Sequence, residues 1–318
     1  MDNTIYFLSG FIAALLGWYM VATSLIPMLP SYASISSYAP VAAKIEAIGE
    51  TVPDEPCVYF VGGSNVFIGV SAKTFSEETG IPSYNYGVII TMGPDMVLHL
   101  LEDRLKPGDT VVMAWEYIMY PYQRSKDVFS TYWNLIFGPM SDVLEKLPPL
   151  DRFQLVLQLQ ETELLEGLFQ LYTQASNEFP MPISQEGDAM FNKGLKIEDK
   201  KLAAPLPIMG QQLAPSADME AAIKSFNEKA QAMGVRVLAT WPNVYRHPGF
   251  EESLIAEQNI ESIKAMWHRL GIHVVGEPED AMFGKEYIYD DHYHLNTDGT
   301  KLRTKRLVAQ ILPFLETP

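Results

Sequence analysis

"DDHYH", Asp290 to His294, sets two carboxylates and two imidazoles within five residues of a chain that has six histidines in all. Three kinds of chemistry can use such a cluster. A neutral imidazole oriented by a carboxylate is a general base able to take the proton of a serine hydroxyl. The same side chains supply nitrogen and oxygen ligands to zinc, as His-x-His pairs do on strands. The third reading is a polar loop ahead of a helix, since Asn296 to Asp298 carry residue types that begin helices. A nucleophile for the first reading stands far upstream, Ser64 in "FVGGSN", where the bland alternative is a cap on the following segment. A metal site needs three or four converging ligands, and the nearest further candidate is His247 in "YRHPGF". His292 is expected to face solvent. His99, inside an amphipathic stretch, reads as structural.

The elements that would position these residues follow from the pattern of the chain. "CVYFVGG" (57–63) is a short apolar run ending in glycines, the mark of a buried parallel strand entering a loop. "PSYNYG" (82–87), "KPGDTVVMAWEY" (106–117), "VRVLATWPN" (235–243) and "IHVVG" (272–276) read as four more strands. Helical patterns separate them: "PDMVLHLLEDRL" (94–105), "MEAAIKSFNEKAQAMG" (219–234), "LIAEQNIESIKAMWHRLG" (254–271) and "TDGTKLRTKRLVAQILPFL" (297–315). Strands alternating with helices predict a three-layer, flavodoxin-like α/β fold on a parallel sheet. In such sheets ligands bind beyond the carboxyl ends of the strands. Ser64, Gly87 and the 290–294 cluster all belong on that edge.

An insertion of about residues 121–215 interrupts the alternation. Its first half, "RFQLVLQLQETELLEGLFQLYTQ" (152–174), is strongly helical with an apolar stripe that fits packing, a membrane surface or a partner. Its second half is irregular and rich in proline, glycine and methionine, as lids and binding loops are.

"IYFLSGFIAALLGWYMVATSLIPML" (5–29) contains no charged residue, and about 20 such residues cross a bilayer core. A cleavable signal would carry a basic start and a shorter apolar core, so residues 1–30 read as a transmembrane anchor and 31–56 as a stalk, leaving 57–318 as the folded domain. With Asp2 before the span and Lys44 the first basic residue after it, charge does not set its orientation. The net charge of −16 argues against a nucleic-acid surface. The one cysteine, Cys57, rules out an internal disulfide and cysteine-rich metal sites, and reads as a buried structural thiol.

"GGSN", "NYG" and "DHYHLNTDG" together resemble the SGNH/GDSL hydrolase superfamily, over residues 57–315 with the insertion set aside. The resemblance implies Ser64 as nucleophile, Gly87 as an N–H donor to the oxyanion beside Ser64 itself, and Asp291 and His294 as acid and base. It needs no metal and no cofactor. The superfamily's third block supplies an oxyanion asparagine after the third strand, and here that place holds Glu116 in "AWEYIMY". An ionised carboxylate cannot donate a hydrogen bond. Glu116 is therefore expected either to pair with an arginine such as Arg246 or to stand in the site with a raised pKa. Asn243 and Asn85 are substitute donors, and Glu116 and Asn243 are expected to meet substrate. The phrasing around "PGDTVVMAWEY" and "GIPSYNYG" resembles the acyltransferase-like branch, whose members are membrane-anchored and work beside a polytopic membrane-bound O-acyltransferase. That implies an O-acyl, presumptively acetyl, transfer through a seryl ester to a cell-surface or exported polysaccharide on the outer side of the cytoplasmic membrane. An esterase of the same fold and a non-catalytic scaffold subunit are the alternatives.

Overall fold

The computed structural model describes residues 2–25, Lys44, Ile48, 53–88, 93–123, Leu150 and 182–315. The chain divides into two compact units, residues 1–43 with 128–180 and residues 44–127 with 181–318. In the first, the described element is helix α1 (Asp2–Leu25), whose window Thr4–Val21 is long and apolar enough to cross a membrane. Its apolar side chains are exposed, Phe7 at 76% and Tyr6 at 75%. A helix with apolar groups all round has no aqueous face, which suits lipid or partner protein rather than water. The helical pattern of residues 152–174 lies outside the described residues.

The second unit is an α/β domain. Its strands are β1 (Val58–Gly62), β2 (Ser83–Gly87), β3 (Thr110–Ala114), β4 (Arg236–Thr240), β5 (Val244–Tyr245), β6 (His273–Val275) and β7 (Met282–Phe283). Its helices are α2 (Ser64–Gly69), α3 (Ala72–Thr79), α4 (Gly93–Glu102), α5 (Asp199–Leu202), α6 (Pro207–Gly210), α7 (Ala217–Ala232), α8 (Leu254–Arg269) and α9 (Thr297–Leu315). Five strands form a parallel sheet in the order β2-β1-β3-β4-β6, the flavodoxin-like arrangement that the alternation predicts. The sequence run 106–117 is shortened to β3 because Pro107 and Gly108 form the turn before it. β5 and β7 make a separate two-stranded parallel pair that the sequence reading lacks.

Side chains alternate across the pleat, so each strand feeds two layers. Val58, Phe60, Val112, Ala114, Leu238 and Val275 join Phe75 of α3 and Leu307 and Ile311 of α9 in one core. Tyr59, Val61, Val111 and Met113, the intervening residues, are also buried, and α4, α7 and α8 pack on that side. Serines start three of these helices. Ser71, Ser216 and Ser253 accept from the backbone N–H groups of Thr74, Met219 and Ala256. At α3 a second cap arrives from the insertion: Asp188 accepts from Ala72 N–H at 2.7 Å, Lys73 N–H at 3.1 Å and the Ser71 hydroxyl at 2.8 Å. Burial holds its carboxyl above the ordinary range despite these donors. Residues 182–210 are thus not a loose lid: their polar side chains tie into the sheet domain.

Candidate active site

β1 is fully buried and ends at Gly62, so the chain leaves the sheet at its carboxyl edge and turns directly into α2. Ser64 is the first residue of that helix and is half-buried. At the other end of the fold, the loop before α9 closes on itself. Tyr289 N–H donates to His294 O at 2.9 Å, and Ile288 bridges Leu295 in antiparallel fashion. The two meet across 230 residues of sequence: His294 Nε2 lies 2.9 Å from Ser64 Oγ. The other ring nitrogen, Nδ1, lies 2.7 Å from Asp290 Oδ1. Hydroxyl, imidazole and carboxylate therefore form one hydrogen-bonded line, a geometry that can activate a serine hydroxyl.

The acid on that line is Asp290, whereas the superfamily spacing points to Asp291. Loop closure explains the difference. Folding back at Tyr289 and His294 sets residue 290 beside residue 294, while the intervening turn rotates residue 291 away. Asp291 instead accepts from Tyr293 N–H at 3.2 Å and pairs with Lys201 at 2.9 Å. Burial pushes its carboxyl up, but the Lys201 hydrogen bond, the nearby imidazole of His294 and the Tyr293 N–H together hold it below the ordinary range.

Gly87 does not offer a free oxyanion donor. Its N–H donates to Asn85 Oδ1 at 3.0 Å, a short-range turn closed by the asparagine side chain. A glycine stands there for packing: a Cβ would run into the backbone of Phe67 in α2. Asn85 is not a substrate donor either. Fully buried, it donates through Nδ2 to Val66 O at 3.0 Å, Phe67 O at 3.3 Å and Val70 O at 2.8 Å, closing the end of α2. Its Oδ1 also accepts from the buried ammonium of Lys44 at 3.1 Å, which reaches Gly87 O at 2.6 Å. Desolvation drives the Lys44 pKa well down, with Asp188 opposing. The Ser64 N–H, at the start of a helix, has no carbonyl within its own helix to accept it.

Asn243 is buried, at 1% exposure, and its Nδ2 donates to Tyr293 O at 2.5 Å. It holds the loop of His294 and does not face a substrate. Glu116 follows β3 and is 1% exposed. Among the described residues it has no arginine partner. Arg246 pairs instead with Glu251 at 3.2 Å on the surface. Glu116 Oε1 accepts from Asn65 N–H at 2.8 Å and lies 3.2 Å from Ser64 Oγ, while Oε2 is buried with no partner. Gly63 makes room for this carboxyl, since a Cβ there would overlap both of its oxygens. Desolvation pushes the Glu116 pKa up, against lowering by the Asn65 N–H, the nearby His294 and the Ser64 hydroxyl.

The remaining histidines separate from the line. His292 is half-buried, its ring 6.3 Å from Tyr245 and its Nε2 without a partner, so it does not face solvent as its sequence position suggests. Burial lowers its pKa. His247 packs on the other side of Tyr245, at 6.3 Å, and accepts from Gly249 N–H at 3.1 Å. Among the described residues no three of His, Cys, Asp and Glu converge as metal ligands. Cys57 is buried, and burial, the carboxylates of Asp109 and Glu55 and the opposing charge of Lys106 leave its thiol at about 11. Asn296 accepts from Gly299 N–H at 3.0 Å and so starts α9.

Lys201 and Asn192 are site supports without a sequence signal. Lys201 Nζ donates to Asp290 O at 3.0 Å as well as pairing with Asp291. Buried Asn192 donates to Ile68 O at 3.0 Å, Leu295 O at 2.8 Å and Thr300 Oγ1 at 3.1 Å, joining α2 to the loop and to α9.

No family model and no curated protein matches the chain by sequence. Two solved structures are similar to it in fold. Protein YxiM of Bacillus subtilis is 10% identical with a TM-score of 0.41, over 83% of this chain and 58% of that one. A Streptococcus pneumoniae protein described as a candidate platelet activating factor is 11% identical with a TM-score of 0.39, over 96% of this chain and 99% of that one.

Proposed function

We propose that the chain is a serine O-acyltransferase of the SGNH type, tethered to a membrane by α1, that transfers an acyl group, most simply acetyl, to hydroxyls of an exported polysaccharide. The observation that carries this reading is the line Ser64–His294–Asp290, with contacts of 2.9 and 2.7 Å at the carboxyl edge of a parallel sheet. In the first half-reaction His294 Nε2 takes the Ser64 proton as Oγ bonds the acyl carbon. The imidazolium, stabilised by Asp290, returns that proton to the departing group, and a seryl ester remains. In the second, a sugar hydroxyl attacks the ester, gives its proton to His294 and releases Ser64. The Ser64 N–H supports the oxyanion in both. Resemblance to the acyltransferase-like branch supports a polytopic membrane-bound O-acyltransferase as the donor system and a domain on the outer side of the cytoplasmic membrane. No metal or cofactor takes part in this scheme.

Mass spectrometry of the full chain after a reactive serine phosphonate tests it. Modification is expected at Ser64 and is expected to vanish in His294→Ala. An unmodified Ser64, or labelling indifferent to His294, would overturn the enzymatic reading in favour of a scaffold. Partner-independent release of free acid from a chromogenic ester, faster than transfer to a glycan, would make the chain an esterase instead.

A further inference from the structure

Ser64 Oγ carries one proton yet stands within hydrogen-bond distance of two groups that ordinarily accept, His294 Nε2 at 2.9 Å and Glu116 Oε1 at 3.2 Å. A neutral imidazole and an ionised carboxylate cannot both receive that proton, and one contact would then oppose lone pairs. Two arrangements with the same proton count remove the conflict. In one, His294 is protonated and donates to Oγ, which donates to a Glu116 carboxylate; the imidazolium is then no base. In the other, Glu116 carries the proton and donates to Oγ, which donates to a neutral His294.

We propose that the working site holds this proton on Glu116, making it a catalytic residue that acts as a neutral carboxylic acid against Ser64 Oγ. The inference rests on the Ser64–His294 reading above. The surroundings favour the neutral form. Glu116 is 1% exposed, and among the described residues its Oε2 meets no donor from another residue and no cation pairs with the carboxyl, although its own backbone N–H lowers the pKa somewhat. A carboxylate with a buried, unsolvated oxygen is penalised far more than a neutral carbonyl in the same place. The titratable groups facing it are His294 and Tyr293 from the loop before α9 and Tyr120 after β3, with Asp290 reaching it only through His294. None of the three is a fixed positive charge. Desolvation correspondingly raises the Glu116 pKa.

The chemical consequence concerns the acyl step. When Oγ bonds the acyl carbon, its own proton passes to His294 Nε2 and the carbonyl electron pair becomes an oxyanion next to Oγ. A Glu116 carboxylate would stand beside that new charge and repel it. The neutral acid keeps its proton throughout, offers it as a hydrogen bond to Oγ or the adjacent oxyanion, and adds no charge. Activity thus requires Glu116 protonated and His294 unprotonated, two conditions that oppose each other in pH.

Rates of Ser64 labelling by the phosphonate, measured against pH for the full-length wild type, Glu116→Gln and Glu116→Ala, test this. The wild type is expected to lose rate as pH rises through the Glu116 titration. Glu116→Gln cannot ionise and still offers N–H: it is expected to drop about tenfold at neutral pH, the scale of one weakened hydrogen bond, and to lose the alkaline decline. Glu116→Ala should fall about a hundredfold or more, as when a donor is removed from an oxyanion site. Difference infrared spectroscopy provides an independent reading, since a protonated-carboxyl band present at neutral pH in the wild type should be missing in Glu116→Gln. Absence of that band, or a Glu116→Gln enzyme as inactive as Glu116→Ala at every pH, would overturn the proposal. Failure of the serine mechanism has a different signature, an unlabelled Ser64 in the wild type, and the infrared band would still decide where the proton resides.

Discussion

Asp290 and Asp291 are neighbours of identical chemistry, and the fold assigns them different work. Replacing each by asparagine isolates that difference, because asparagine keeps size and an acceptor oxygen while removing charge. At Asp290 the lost interaction is a 2.7 Å contact with the imidazole, which becomes an imidazolium in the proposed mechanism. Two unit charges about 4 Å apart interact by about 1 kcal/mol in water and about 4 kcal/mol at a protein surface. The Asp290 side chain is 45% exposed, which places the effect between those limits at about 2–3 kcal/mol, or roughly a hundredfold in rate at 1.36 kcal/mol per tenfold. At Asp291 the asparagine oxygen can still accept from Tyr293 N–H, so the turn survives. What goes is a partly exposed pair with Lys201, worth about 0.2–1 kcal/mol in stability, and a weaker through-space attraction to the His294 ring without a hydrogen bond to it, so the loss in rate is expected to stay under about threefold. The phosphonate-labelling rate of Ser64 is the assay, with circular dichroism confirming that both variants fold. Asp290→Asn combined with His294→Ala should be no slower than His294→Ala alone, because the carboxylate acts only through the ring. A rate in Asp291→Asn as low as in Asp290→Asn, or an Asp290→Asn variant within threefold of wild type, would refute the assignment.

Removing the Asn85 side chain leaves Phe67 O, Val70 O and the Gly87 N–H without that partner and takes one contact from buried Lys44 Nζ, so Asn85→Ala is expected to destabilise the fold by about 3 kcal/mol or more in chemical denaturation. A loss under about 1 kcal/mol would contradict its role at the end of α2. Asn243→Ala leaves Tyr293 O without its donor and is expected to lose about 1–3 kcal/mol of stability and to slow Ser64 labelling; an unchanged labelling rate would show that the loop does not depend on it. Glu116 also links stability to pH. Its folded pKa is raised above the ordinary 4.5, so the folded state keeps a proton that the unfolded state has already lost. Stability must then fall as pH rises from about 4.5 through the folded titration, by up to 1.36 kcal/mol per pH unit from this group. Thermal unfolding of Glu116→Gln should decline less steeply over that window, and parallel curves would refute it.

The strands and the Ser64–His294 meeting point were legible because they rest on local patterns: apolar runs ending in glycine, and a polar cluster ahead of a helix. The choice of acid was not. It depends on the backbone closure between Tyr289 and His294, which a D-x-x-H spacing cannot encode. Gly87 shows a second limit. The sequence reveals that a glycine follows β2, but its N–H is claimed by a side chain two residues back, and the reason for the glycine is α2 passing overhead. The supports are further out of reach. Lys44 meets Asn85 across 41 residues, and Asp188 caps α3 across 116, with no periodic signal at either end. Glu116 was visible as an oddity in its motif, yet that Arg246 is not its partner appears only when the surface pair of Arg246 and Glu251 is seen.

The loop from Asp290 to His294 has every one of its carbonyls taken. Lys201 holds the first, His294 N–H the second, Tyr245 N–H the third at 2.7 Å, Asn243 the fourth and Tyr289 N–H the fifth. The effect is to fix the imidazole, and in the proposed mechanism fixed geometry is what would convert a 2.9 Å contact into rate, since a displacement of about 1 Å can cost a hundredfold. The donors come from four separate places: the insertion at Lys201, the segment after β4 at Asn243 and Tyr245, the approach to the loop at Tyr289, and the loop itself. Weakening one donor is therefore expected to loosen the loop as well as to cost stability. That is the behaviour of a site whose precision is distributed over the fold, with the insertion contributing as a structural support of the active loop.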